Sequence, residues 1–383
     1  MQDTEIRAWI ALHRTPGLSS RALSRLLTVC DDPQQAWLLP PEQLDQLGIS
    51  PGARRLLASG PDRALLRKVE RDVCGLQQQR ITLLPVTSPD YPPLLKETVD
   101  PPPLLYVKGD VAALQRPQIA MVGSRRCSRQ GAENAFALGR ELARAGLTVT
   151  SGCALGIDTE SHRGALVASE GCSVGVLGTG IDVVYPRRNR DLFEQLQERG
   201  ALVSEFPLGT QPHRALFPQR NRLISGLSLG VLVVEAALQS GSLITARFAL
   251  EQNREVFAIP GSIHNPGSEG CHHLIQQGAR LVVSAPEIME ELGGWLPRAA
   301  TSGPHRAVKS LWDDSTGSPD NLDPRERALV EAMGYDGVDI DLLVQRTGWD
   351  IAEVQSRLTA MEIRGFVEHS AGRYQRLVRA GIE

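Results

Sequence analysis

From Gln118 onward the chain alternates short apolar runs with segments of helical length, and this alternation restricts the fold more than any other feature. The runs are Ile119–Val122, Leu147–Thr150, Ser173–Leu177, Ala201–Ser204, Leu229–Val234, Glu255–Ile259 and Arg280–Val283. Strands that are apolar on both faces must be covered on both faces. Helical crossovers supply that cover, so the pattern predicts an α/β fold built on a parallel, extended Rossmann-like sheet.

The flanks read differently. In residues 1–75 apolar positions recur at helical spacing, as in Ile6, Trp9, Ile10 and Leu23, Leu26, Leu27. Two turns look alike: Thr15-Pro16-Gly17-Leu18-Ser19 and Leu47-Gly48-Ile49-Ser50-Pro51-Gly52. Each opens into a helix and can present amides to a phosphate. The module resembles a SAM or helix-hairpin-helix unit, with a plain helical packing domain as the alternative. Ile81–Leu84 and Leu104–Val107 flank a proline-rich connector and suit edge strands. The central domain is thus expected over 76–295, a linker over 296–322 and a small unit over 323–383. In the last, a Pro-opened helix, two more helices and two short runs around Ala371-Gly372 suggest a winged helix.

Composition narrows the function. A net charge of −3 gives no whole-molecule attraction for nucleic acid, so any such site must be a local basic patch. Aromatic residues at 4% disfavour a broad base-stacking platform. No run approaches the roughly 20 apolar residues of a membrane span. The N-terminus is polar and does not read as a signal peptide. Six scattered cysteines with no CxxC pair argue against structural zinc and suit reduced thiols in a cytoplasmic protein. No metal, cofactor or membrane partner is expected.

Ligands of open parallel sheets bind beyond the carboxyl ends of the strands, so the loops there carry the function. The first is Gly123-Ser124-Arg125-Arg126-Cys127-Ser128-Arg129. It is not GxGxxG, and dinucleotide binding is disfavoured. The second, Ser151-Gly152-Cys153-Ala154-Leu155-Gly156-Ile157-Asp158, pairs two glycines with a helix start. Tyr185-Pro186-Arg187-Arg188-Asn189-Arg190 and Phe217-Pro218-Gln219-Arg220-Asn221-Arg222 follow, then Ser240-Gly241-Ser242 and Pro260-Gly261-Ser262.

Arginines gather in these loops, with Arg214 beside them, and their shared rim predicts a basic groove for consecutive phosphates. Tyr185, Phe206 and Phe217 are candidates for stacking on bases, with burial in the core as the plainer alternative. No nucleophile elbow, P-loop or metal spacing is present, so no catalytic residue is assigned. Asp158, Asp182 and Glu235 read as caps that orient amides and arginines.

Together these loops resemble the DNA-processing protein A family (DprA, also called Smf). The resemblance covers about residues 80–295. It rests on Gly-Ser-Arg after the first strand, Ser151–Asp158, Tyr185-Pro186-x-x-Asn189 and Phe217-Pro218-x-Arg220-Asn221-Arg222-x-Ile224-Ser225-Gly226. Val234-Glu235-Ala236, Ser240-Gly241-Ser242-x-x-Thr245-Ala246 and Ala258-x-Pro260-Gly261 complete it. It implies an extended Rossmann fold, homodimerisation through that fold, single-stranded DNA binding, and protection and delivery of incoming DNA to the RecA recombinase in natural transformation. The implied DNA-binding residues are Gly123, Ser124, Arg125, Ser151, Gly152, Arg187, Arg188, Asn189, Phe217, Arg220, Asn221, Arg222, Ser240, Gly241 and Ser242. The chain departs from the family at Leu155, often basic there, and near Cys271-His272, where an asparagine-type residue is usual.

The rival reading is an enzyme like the Rossmann-like nucleotide phosphoribohydrolases. Their signature places a glutamate after the glycines, whereas Glu235 precedes Ser240-Gly241 here.

Overall fold

A computed structural model of the chain describes residues 3–30, 32–293, 322–334, 337–370 and 372–376. Residues 1–303 form one compact unit and 304–383 a second. The expected linker, apart from Leu322, lies outside the described residues.

The first unit begins with α1 (Asp3–His13), α2 (Ser20–Leu27), α3 (Pro41–Gln46), α4 (Pro51–Ser59) and α5 (Arg63–Gln78). The two similar turns are built alike. Gly17 and Gly48 hold φ of +78° and +64°, where a side chain would be strained. Ser19 and Ser50 then cap α2 and α4, accepting from Ala22 N and Ala53 N. The turns touch, for the Ser50 hydroxyl donates to Gly17 O at 3.1 Å.

β1 (Ile81–Pro85), α6 (Pro93–Lys96) and β2 (Leu104–Gly109) precede the alternating region. That region runs β3 (Gln118–Val122), α7 (Arg129–Arg144), β4 (Thr148–Ser151), α8 (Ile157–Val167), β5 (Ser173–Val176), α9 (Arg190–Arg199) and β6 (Gly200–Ser204). It continues with α10 (Leu216–Gly226), β7 (Gly230–Val233), α11 (Ser242–Glu251), β8 (Glu255–Ala258), α12 (Glu269–Gln276), β9 (Arg280–Leu281) and α13 (Ala285–Leu292). All seven apolar runs of the sequence contribute strands, within a residue or two at each end.

The nine strands form one sheet in the order β1-β2-β6-β5-β4-β3-β7-β8-β9. Pairing is parallel from β6 to β9 and antiparallel at β1–β2 and β2–β6. The connector strands therefore extend the Rossmann-like sheet rather than standing apart from it. The chain leaves β3 towards β4 and later returns on its other side as β7. The loops after β3 and β7 diverge there, and this is the crevice where such sheets hold ligands.

Two apolar cores cover the sheet. One holds Val107, Ala120, Val122, Val174, Val203, Leu223, Ile224 and Val231. The other joins Trp9, Ile10, Val69 and Val73 of the N-terminal helices to Tyr106, Leu177, Phe193 and Leu202. The helical module expected over 1–75 thus shares a core with the sheet. Polar contacts reinforce the junction. Arg14 donates twice to Asp72, at 2.6 and 2.8 Å, and to Leu208 O at 2.8 Å. His13 Nδ1 lies 3.2 Å from the Tyr106 hydroxyl.

The second unit contains α14 (Pro324–Met333), α15 (Ile340–Thr347), α16 (Ile351–Ile363) and the hairpin β10 (Val367–Ser370)–β11 (Arg373–Arg376). This is a winged helix around Leu329, Met333, Leu343, Val354, Leu358 and Met361. Asp323 and Glu326 form a capping box on α14. Its arginines are largely engaged: Arg357 pairs with Asp323 and Glu353, Arg364 with Glu326, and Arg325 with Glu353.

Candidate nucleic-acid interface

The loops at the carboxyl ends of the strands are stitched into one surface. Ser124 N donates to Glu235 O at 2.7 Å, and Ile157 N donates to Ser124 O at 3.2 Å. The loops after β3, β4 and β7 are thereby held together. Glycine is required at the seams. A Cβ on Gly123 would lie 2.6 Å from Ile157 and 2.8 Å from Glu235 O. One on Gly156, at φ +78°, would lie 2.3 Å from Ser124 O.

The carboxylates serve as scaffolding. Glu235, almost wholly buried, accepts from Ser128 N at 3.0 Å and from the Ser128 hydroxyl, which in turn caps α7 by accepting from Gly131 N at 3.0 Å. Asp158 accepts from Gly152 N and Ala154 N at 3.1 and 3.3 Å. Burial raises its carboxyl pKa against the opposing pull of Arg220. Asp182 accepts from Gly209 N at 2.8 Å. These are the amide-orienting jobs expected from the sequence.

The structure divides the expected site residues into two groups. Those facing inward include Ser151, whose hydroxyl donates to Met121 O inside the sheet at 2.6 Å. Asn189 is buried and donates to Cys153 O at 3.0 Å and to Thr159 Oγ1 at 2.9 Å, so it fastens the second loop from beneath. Arg220 corrects the expectation of an open row of guanidiniums. It is 4% exposed and donates to Gly152 O at 2.8 Å and to Val176 O. Gly152 cannot be anything larger, because its Cβ would lie 2.5 Å from Arg220 and 2.7 Å from Asp158. Arg222 is likewise engaged elsewhere. It pairs with buried Glu205 and donates to Asp100 O at 2.6 Å. Glu205 is pushed up to about 7 by burial, with Arg222 opposing.

The outward group is smaller. Arg125 is exposed, with its guanidinium 5.5 Å from the centre of the Phe217 ring. The Phe217 ring lies 5.6 Å from that of exposed Tyr185. Phe217 is half-buried against Gly178, so it is neither core nor free. The turn after Tyr185 carries Arg187 and Arg188, both exposed. Arg126 and Arg214 are exposed as well, whereas Arg129 pairs with Glu133. Asn221 spans to the fifth loop, donating to Gly241 O at 3.3 Å, and the hydroxyls of Ser240 and Ser242 lie 2.6 Å apart. Phe206 is half-buried and stands outside the aromatic cluster. Leu155 is 37% exposed at its loop tip.

One feature escaped the sequence reading. The Ser173 hydroxyl donates to Val149 O at 2.6 Å and so accepts from His162 Nδ1 at 2.7 Å, which leaves His162 Nε2 to face the Cys153 thiol at 3.5 Å. Burial lowers His162 to about 3 and raises Cys153, so imidazole and thiol are both neutral. Only the spacing of Cys153 and His162, on a loop and the helix after it, hints at this contact. Among the described residues no group of side chains could hold a metal ion.

Comparison with known proteins gives the geometry its family. The model of DNA recombination-mediator protein A matches residues 82–293, and that of the DprA winged helix domain matches 313–373. The chain is 41% identical to protein Smf of Escherichia coli K12, over 99% of this chain and 97% of that one. It is 47% identical to DNA processing protein DprA of Streptococcus pneumoniae, over 52% of this chain and 71% of that one. The crystal structure of DprA from S. pneumoniae superposes with a TM-score of 0.63 at 36% identity, covering 74% of this chain and 97% of that one. A structure of DNA processing protein A from Helicobacter pylori, described for its single-stranded DNA binding mode, superposes at 0.52 with 28% identity, covering 57% and 98%. With matches to both domains and a relative aligned over nearly its full length, the chain belongs to the DprA/Smf family of DNA-processing proteins.

Proposed function

We propose that this chain binds single-stranded DNA along the carboxyl rim of its sheet, acting as a binding factor without catalysis. The observation that carries this reading is the stack of exposed Arg125 and exposed Tyr185 on half-buried Phe217, continued by Arg187 and Arg188. Guanidiniums grip phosphates, and an exposed ring beside them takes a base on its face. The backbone of Gly123-Ser124, the Asn221 amide and the Ser240-Gly241-Ser242 turn flank this stack and complete the groove. Ser151, Gly152, Asn189, Arg220 and Arg222 act through the loops they position. Contacts of this kind read phosphate and base faces rather than base edges, so sequence preference is weak.

The binding mode described for the H. pylori relative and the family membership support this assignment. On the same footing we assign the chain a cytoplasmic role as a homodimer that protects incoming DNA and hands it to RecA in transformation or recombination. The test is an anisotropy titration of labelled single-stranded and duplex oligonucleotides at two salt concentrations. Single strands should bind more tightly, with a log–log salt slope of about −0.7 per phosphate engaged. Equal affinity for duplex, or salt-independent binding, would remove the basis of the proposal.

A further inference from the structure

β1 is the outermost strand of the sheet, paired on one side only with β2. Hydrogen-bonded and non-bonded residue pairs alternate along an antiparallel ladder, so one bond fixes the phase of the rest. Val86 N donates to Pro103 O at 3.0 Å, one position beyond the Pro85–Leu104 pair. Leu84 and Thr82 therefore bond to β2, while Ile81 and Leu83 turn their N–H and C=O groups outward. The far side of β2 gives the same phase independently. Asp110 N donates to Gly200 O, which commits Lys108 and Tyr106 to β6 and leaves Leu105 and Val107 for β1. Ser88 N takes Pro85 O. The four backbone groups of Ile81 and Leu83 have no partner within the described residues.

Residues of α1 and α5 flank this edge. It opens into a cleft of about 830 Å³ along which every residue of β1 is disposed. Ile6, Val73, Leu76 and Val111 give the cleft apolar lining. Its charge is one-sided. Glu5 and Asp90 line it without ion-pair partners among the described residues, Asp3 lines it while paired with Arg7, and Arg80 is the one guanidinium among the described lining residues.

We propose that the outer edge of β1 is a docking site for an extended, basic segment of a partner protein. The segment adds a further strand to the sheet by bonding the backbones of Ile81 and Leu83. Alternate apolar side chains enter the cleft, and Lys or Arg residues at its ends meet Glu5 and Asp90. This site lies on the opposite sheet border from β9 and is independent of the DNA-binding proposal.

The probe is a fluorescent peptide, Lys-Thr-Val-Thr-Val-Lys, against its counterpart with Glu at both ends, titrated with the full chain. The basic peptide should bind, and the acidic one should not. Leu83→Pro removes an outward N–H without touching the bonds to β2, and should weaken binding about tenfold, the worth of one good hydrogen bond. Glu5→Lys with Asp90→Lys should abolish it. Amide hydrogen exchange of the unaltered chain decides the matter should Leu83→Pro not fold. The amides of Ile81 and Leu83 should exchange faster than those of Thr82 and Leu84, and the basic peptide should slow the first pair. Absence of peptide binding, equal binding of the acidic peptide, or protection elsewhere overturns the proposal. So does a wild-type oligomer that Leu83→Pro dissociates, because the edge would then serve a second copy of the chain.

Discussion

Arg220→Ala should damage the fold, whereas Arg125→Ala, in the same expected site, should not. The Arg220 guanidinium is buried and caps two carbonyls, Gly152 O just after β4 and Val176 O at the end of β5. It also supplies the positive charge opposite Asp158. Truncation leaves two buried acceptors without donors and a buried carboxylate without its counter-charge, together worth about 3–5 kcal/mol. The loss should depend on pH in a defined sense. Burial already raises Asp158 above its ordinary range, and removing Arg220 lets it rise further. Between the unfolded and the folded value, the folded variant then holds a proton that the unfolded chain has released. Its deficit should be smallest below the unfolded carboxylate value of about 4 and should grow as pH rises through the folded value. Urea unfolding at several pH values measures this, with Asp158→Asn as the second arm of a double-mutant cycle. Asp158→Asn should recover part of the loss at neutral pH and flatten the pH dependence. An Arg220→Ala protein within about 0.5 kcal/mol of wild type, the range of ordinary surface changes, would refute the assignment of Arg220 to the interior.

Other substitutions separate gripping from positioning. Arg125→Ala should leave the melting temperature unchanged and weaken single-stranded DNA binding by about 1.5–3 kcal/mol, one charge-assisted contact. Its salt slope should fall by about 0.7. Phe217→Leu should weaken binding by about 1–3 kcal/mol with no change in salt slope, since it removes a stacking face and no charge. Glu205 has a folded carboxyl at about 7 against an ordinary 4.5, so its contribution is complete at low pH and is lost as pH rises towards 7. Glu205→Gln should remove that slope in a pH series of unfolding curves. Glu235→Gln should lower stability by about 1–3 kcal/mol through Ser128 while nucleoside monophosphates stay intact with either protein. Free base released by wild type and not by the variant would revive the enzyme reading.

The sheet was legible because apolar runs of strand length repeat, and period and composition together admit few folds. The rim was legible because glycines and arginines follow those runs. Which arginines face outward was not read, although the signal was present. Arg220, Leu223 and Ile224 share one helical face, and the latter two are plainly apolar, so Arg220 had to point inward. Arg222 was hidden for a different reason. Its partners Glu205 and Asp100 are far along the chain, and no local pattern announces them. The same holds for the N-terminal module. Helical periodicity located α1 and α2, but the contact of Trp9 with the sheet's core is a tertiary fact.

That contact bears on how the chain can be divided. Trp9, Ile10, Val69 and Val73 fill the same apolar volume as Tyr106 and Phe193, and Arg14 donates across the seam beside them to Leu208 O. A truncation beginning at residue 76 would bare this surface to water. Loss of DNA binding in such a fragment would then report aggregation as readily as a missing contact. The leading helices of this chain are thus no detachable cassette, because the sheet beneath them is painted to receive them.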